Sequence, residues 1–171
     1  MSNAAVQRER DRRQFCVWVL VSADATGTTA RAAARLFERA FVAAPTPPSS
    51  REATPYFRIE RLEDYLPTPE SWDAVRDRLL LTLDAYDTHR EEVDAIVQAA
   101  SPRWRMNRMP ILDRTLLRVG VVEMCFVDKP RARATINGLV ELAKRLGSDK
   151  TSAFVNGILD QIRRDRGIPF E

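Results

Sequence analysis

Apolar residues recur at helical spacing along almost the whole chain. The first helix is predicted over residues 10–23, where a short apolar run from Phe15 to Val21 follows a cluster of arginines and Asp24 to Gly27 ends it. A second helix is predicted from Thr29 to Val42, with Ala33, Leu36, Phe37, Ala40 and Phe41 three or four residues apart. The stretch "AAPTPPSSREATP" then holds three prolines and two serines within residues 45–50, which excludes regular structure and marks a surface loop. This proline-rich loop region is taken as 43–70, and Ser71 or Thr68 can cap the helix that follows. From Trp72 to Ala100 the pattern is helical again through Val75, Leu79, Leu80, Leu83, Tyr86, Val93, Ile96 and Val97. Asp87 to Arg90 is where it can divide in two, and Pro102 stops it.

Pro110 opens the next helix, since proline suits a first turn. Ile111 to Val127 is apolar on nearly every side, which predicts the central helix of a bundle. Asp113, Arg114, Arg118 and Glu123 interrupt it, so it is too charged to span a membrane. Residues 131–146 place Ile136, Leu139, Val140, Ala143 and Leu146 on one stripe, with Gly147 as the stop. Ser148 or Asp149 can cap a last helix, 150–165, that buries Phe154, Val155, Ile158, Leu159 and Ile162. Seven helices and no convincing strand predict an all-α, single-domain bundle over residues 1–171, with 1–10 as a flexible basic arm.

Composition narrows the function. The chain has 171 residues, 44% of them hydrophobic and 30% charged, which fits a soluble globular protein. Cys16 and Cys125 both sit in apolar runs and read as buried, reduced thiols. His89 is the single histidine and has no cysteine beside it, so a zinc site or a Ser-His-Asp triad has little to build on. No carboxylate pair, activated nucleophile or phosphate loop stands out, and no cofactor or metal is expected. The net charge is +3, but residues 1–45 carry +3, residues 46–100 carry −6 and residues 101–171 carry +6. Basic ends around an acidic middle can present a basic face to a polyanion, or simply a mixed, solvated surface.

The stretch "RERDRRQFCVWVLVSADA" can be an export signal, a membrane anchor or a basic arm on a buried helix. Seven apolar residues are too few for a good signal core, Glu9 and Asp11 sit among the arginines, and Ser2 stands where myristoylation needs glycine. A basic arm is the favoured reading.

Residues 102–162 carry a recognisable order of motifs. Trp104, Arg108, Asp113, Arg114, Leu117, Arg118 and Glu123 are followed by Pro130, Ile136, Asn137, Val140, Glu141, Leu142, Ala143, Lys144 and Gly147. Phe154, Val155, Asn156, Gly157, Leu159 and Asp160 complete the series. This order resembles the NusB family of transcription antitermination factors. Arg12 and Arg13 ahead of an apolar helix, Asp24, and "EEVDAIV" are similar to the same family.

The resemblance implies a cytoplasmic, all-α, seven-helix protein without catalytic activity. It implies binding of single-stranded box A RNA from ribosomal operon leaders together with NusE, a ribosomal small-subunit protein, beside RNA polymerase. Arg8, Arg10, Arg12 and Arg13 then become candidate phosphate ligands, and Trp18 either stacks a base or packs in the core. Asp113, Arg118, Glu123 and Asn156 read as an internal polar network, because a buried charge needs a partner. Trp104 is expected at a helix junction, and Gly157 where another helix comes close. The chain departs from the family at Trp18 and Val21, where glutamine and tyrosine are usual, and at Gly138, where glutamate is usual. These departures support a second reading, a protein-interaction module without RNA binding. A third, a detached NusB-like domain of an RNA cytosine methyltransferase, is weakened by the close of the chain at Glu171 and the lack of a cofactor-type glycine loop. Pairing of the chain with itself stays open.

Overall fold

A computed structural model describes residues 3–42, 68–127 and 131–171. Among them the chain forms seven α-helices and no strand: α1 (Asn3–Thr26), α2 (Ala30–Phe37), α3 (Pro69–Asp73), α4 (Arg76–Ala100), α5 (Ile111–Cys125), α6 (Ala132–Leu146) and α7 (Asp149–Asp165). A π-helical segment, Glu38–Val42, continues α2, and a short 3₁₀ turn, Met106–Arg108, precedes α5. The proline-rich stretch 43–67 and Pro130 lie outside the described residues.

Local chemistry sets most of the ends. Thr29 caps α2 by accepting a hydrogen bond from Ala32 N. Asp87 of α4 adds a second anchor, accepting from the amides of Ala30 and Arg31 at 2.8 and 3.0 Å. A carboxylate at a helix N-terminus also meets the positive end of the dipole. Thr68 and Ser71 form a reciprocal capping box on α3, so both predicted caps are used. Ser148 caps α7 through Thr151 N. The expected division between Asp87 and Arg90 is a kink: His89 leaves helical geometry (φ −111°, ψ 18°) inside α4, and its ring stacks on Phe126 at 4.3 Å.

One boundary differs in a way that matters. The helix α1 begins at Asn3, so the residues expected to form a flexible arm are its first turns. No glycine or proline interrupts them. Side chains one turn apart brace them, with Gln7 donating to Asp11 at 2.8 Å and Arg12 pairing with Glu9 at 2.9 Å.

The core is built around α5, which touches α1, α4, α6 and α7. Leu116, Leu117, Val119, Val121 and Val122 are fully buried. Each such side chain contributes about 1.5–3 kcal/mol of transfer free energy. Phe15, Phe37 and Trp72 form a second knot, with ring centroids 5.8 and 5.6 Å from Trp72, whose indole donates to Glu38. Cys16 and Cys125 are free thiols, and burial pushes Cys16 up to about 12.

The glycine that lets helices approach is not Gly157. Gly157 is exposed and a Cβ there would meet nothing, whereas a Cβ on Gly120 would lie 2.5 Å from Leu159 Cδ2. α5 and α7 therefore close on Gly120. Gly120→Ala should destabilise the protein by about 1–3 kcal/mol through overpacking. Gly157→Ala should stabilise it by roughly 0.5–1 kcal/mol, because alanine is the better helix former. Urea denaturation of the two variants checks both signs.

Candidate nucleic-acid interface

The polar residues of α5 organise two buried networks. In the first, Glu123 accepts from Arg12 at 2.8 Å, from Arg13 Nε at 2.9 Å and from the Thr135 hydroxyl at 2.8 Å. Arg12 also donates to Thr82 at 3.2 Å and to Glu9, and Glu9 in turn pairs with Arg78. This cluster ties α1 to α4, α5 and α6. In the second, Arg118 holds Asp94 through two bonds of 2.7 and 2.8 Å and Asp24 at 3.2 Å, and lies over the Tyr86 ring. Arg114 pairs with the other oxygen of Asp24 at 2.6 Å. This cluster joins α1, α4 and α5. Two-point guanidinium–carboxylate contacts of this kind fix orientation as well as distance.

These networks correct the arginine assignment. Arg12 and Arg13 are only 5% and 8% exposed and turn inward to Glu123, while Arg8 and Arg10 are exposed. The cause is helical phase. Arg12 stands four residues before Cys16 and Arg13 four before Val17, on the faces that enter the core. Trp18 is 5% exposed and belongs to the core cluster, so it offers no open ring to a base.

The other family-motif residues divide. Arg118 and Glu123 are buried members of the networks, as expected. Asp113 lies apart from both networks and is half-buried; burial pushes its carboxyl above the ordinary range, partly offset by the Thr151 hydroxyl. Asn156 is exposed rather than internal, as are Asn137 and Arg108. Lys144 is exposed and pairs with Glu141 at 2.7 Å.

Trp104 is not packed into a junction. It is 58% exposed, and its ring meets the edge of Phe154 at 6.1 Å. The turn that carries it is clasped by Gln98. The Gln98 amide donates to the carbonyls of Ser101 and Trp104 at 3.3 and 3.2 Å and accepts from Met106 N at 3.1 Å. Arg103 and Arg105 flank Trp104 and are exposed; Lys150, also exposed, stands one turn before Phe154 on α7. The result is an aromatic pair in basic surroundings, held on a rigid turn. Sequence reasoning missed its exposure. The available signal was the polar neighbourhood of Trp104, set between two arginines outside any helix.

Among the described residues no helix is long and apolar enough to cross a membrane. No group of three or more His, Cys, Asp or Glu side chains there is placed to hold a metal ion.

Charge pairing sets the response to acid. Burial pushes Asp24 up, but the Arg114 hydrogen bond and the Arg118 charge outweigh it and hold its carboxyl below the ordinary range. Glu9 behaves in the same way, with Arg12 as its main partner. Depressed carboxyls stabilise the fold fully above their unfolded values, near 4, and that contribution disappears as pH falls through the lower folded values. Asp113, raised, acts in the opposite sense. Stability should therefore drop below about pH 4, and Asp24→Asn should flatten that drop; urea midpoints across pH 3 to 6 measure it. Glu123→Ala, which takes a shared carboxylate away from two buried guanidinium groups and leaves Arg13 without a close acid, should cost about 3–5 kcal/mol in the same assay at neutral pH.

Residues 49–164 match the family model described as the NusB family. The transcription antitermination protein NusB of Myxococcus xanthus is 41% identical over 81 residues, covering 47% of this chain and 57% of that protein. The protein of the same name from Chloroflexus aggregans is 38% identical over 104 residues, covering 60% of this chain and 67% of that one. The matched stretch thus spans between about half and two thirds of these relatives. A crystal structure of antitermination factors NusB and NusE in complex with dsRNA shares the fold, with TM-score 0.66 and 19% identity over 93% of this chain and 98% of that one. With the family model running from before α3 into α7 and the same fold along nearly its whole length, the chain belongs to the NusB family.

Proposed function

We propose that this chain is a non-catalytic transcription antitermination factor. It binds single-stranded box A leader RNA of ribosomal RNA operons together with NusE, in the cytoplasm, as part of the RNA polymerase antitermination complex. The observation that carries the reading is the exposed Trp104 ring, seated against half-buried Phe154, with Arg103, Arg105 and Lys150 as exposed cations around it. Unpaired bases need a face to stack on and cations along the backbone, and this surface supplies both. Arg8 and Arg10, on the outward side of α1, add phosphate contacts. Family membership supports the choice of RNA and of NusE, since the relatives are named as antitermination proteins and a neighbour of the same fold is described with NusE and RNA.

Arg12 and Arg13 take a different role here. They pair within the protein with Glu123 and Glu9 and hold α1 in place. The arm then contributes two phosphate contacts rather than four, worth about 1.4 in the slope of log affinity against log salt.

The inward Arg12, Arg13 and Trp18 also favour a second reading, a NusB-type interaction module that has lost RNA binding. A titration separates the two. Labelled box A RNA should bind, more tightly with NusE present, and Trp104→Ala should weaken binding by about 1–3 kcal/mol, or about five- to over a hundredfold. Replacing Arg8 and Arg10 by alanine should lower the salt slope by about 1.4. No RNA binding at low salt, with or without NusE, would leave the interaction module as the reading.

A further inference from the structure

A groove of about 500 Å³ runs between α1, α4 and α6, and a second hollow of about 330 Å³ adjoins it across Arg10, Gly138 and Glu141. The Arg12–Glu123–Arg13 cluster lines the groove. At its mouth stand two aliphatic side chains that solvent reaches freely, Leu81 (67% exposed) and Val6 (42% exposed). Among the described residues, six arginines and three glutamates line the two hollows, and no aromatic side chain does.

Gly138 stands where the hollows meet. A Cβ there would lie 2.8 Å from Arg13 Nη1, so the guanidinium rests on bare α6 backbone. Arg13 Nε is satisfied by Glu123 and Nη2 is 4.0 Å from Glu9, but Nη1 meets no acceptor among the described residues. That leaves a donor at the wall of an open groove whose lining holds more arginines than glutamates.

We propose that the groove docks an acidic, aliphatic segment of a protein partner. A carboxylate of that segment reaches Arg13 Nη1 over Gly138, and an apolar side chain covers Leu81 and Val6. Charge complementarity selects an acidic occupant, and a guanidinium already held by Glu123 is preorganised to bind a carboxylate. The lining favours polypeptide over RNA. Bases have no ring to stack on here, whereas Leu81 and Val6 need an aliphatic cover that nucleic acid does not carry. The inference goes beyond the RNA reading, whose stacking surface is Trp104 and Phe154; the two share Arg10, so Leu81, which only the groove uses, is the site that lets each fail alone.

The test is a titration of the full, isotope-labelled chain with short synthetic peptides carrying leucine, glutamate and leucine at alternate positions. The same peptides with glutamine in place of glutamate, and box A RNA, form two further arms. The acidic peptides should shift the amides of Gly138, Leu81 and Val6 and bind at least about tenfold more tightly than the glutamine set. Gly138→Glu, whose Cβ displaces the Arg13 guanidinium from α6 and whose carboxylate competes for the groove, should weaken peptide binding about tenfold or more. Leu81→Ser, at an exposed site that leaves the core intact, should weaken it as well. Both variants should keep the helical circular dichroism of the parent, and Leu81→Ser should keep its RNA affinity. Absence of peptide binding, equal binding of the two peptide sets, or RNA rather than peptide shifting Leu81 would each overturn the proposal.

Discussion

A carboxylate buried at Glu123 constrains the rest of the structure. It lies on the most enclosed helix, where an unpaired charge would cost several kcal/mol. Two arginines from α1 and a hydroxyl from α6 satisfy it, so α1, α5 and α6 can meet in only one register. Replacing such a cluster by apolar side chains often leaves stability unchanged or raises it, so its use here is to specify the arrangement rather than to hold it together. The first turns of α1 are ordered for the same reason. Arg12 and Glu9 are neighbours on the helix, and the pair they make continues into Glu123 and Arg78.

Arg118 repeats the device one and a half turns earlier on α5. It takes Asp94 from α4 and Asp24 from the end of α1, and Arg114 shares Asp24. One helix therefore presents an acid to two bases at one end and bases to two acids at the other. Between them the contact is apolar and close, down to the bare Cα of Gly120 against Leu159. Polar clusters set register and the apolar stretch supplies the cohesion, which is why α5 looks hydrophobic on every side yet carries four charged residues.

The same logic explains what the sequence made legible. Helix positions, the caps at Thr68 and Ser148, and the break near His89 follow from spacing and local hydrogen bonding, which act over a few residues. That Arg118 and Glu123 must be paired inside followed from the cost of burying charge. Their partners did not, because Arg12, Asp24 and Asp94 are brought to α5 by tertiary packing alone. Trp104 lies in a turn with no period from which to read a facing. The two mid-helix glycines were separable in principle. Gly157 sits off the stripe of Phe154, Val155, Ile158 and Leu159, while Gly120 lies in a helix with no outside.

The arginines at the start of the chain show how far helical phase decides function. Arg8, Arg10, Arg12 and Arg13 look equivalent as a basic run, and a flexible arm would make them so. Once α1 is helical from Asn3, each residue is fixed to a face, and consecutive residues are turned by 100°. Arg12 and Arg13 fall where the helix enters the core, so their charge must be answered from within, and Glu123 answers it. Arg8 and Arg10 fall outside and stay exposed to solvent. The inward pair also shapes the groove. Arg13 can rest on α6 only because residue 138 has no side chain, so the bare backbone of α6 and the inward turn of an arginine on α1 form one structural feature seen from two helices.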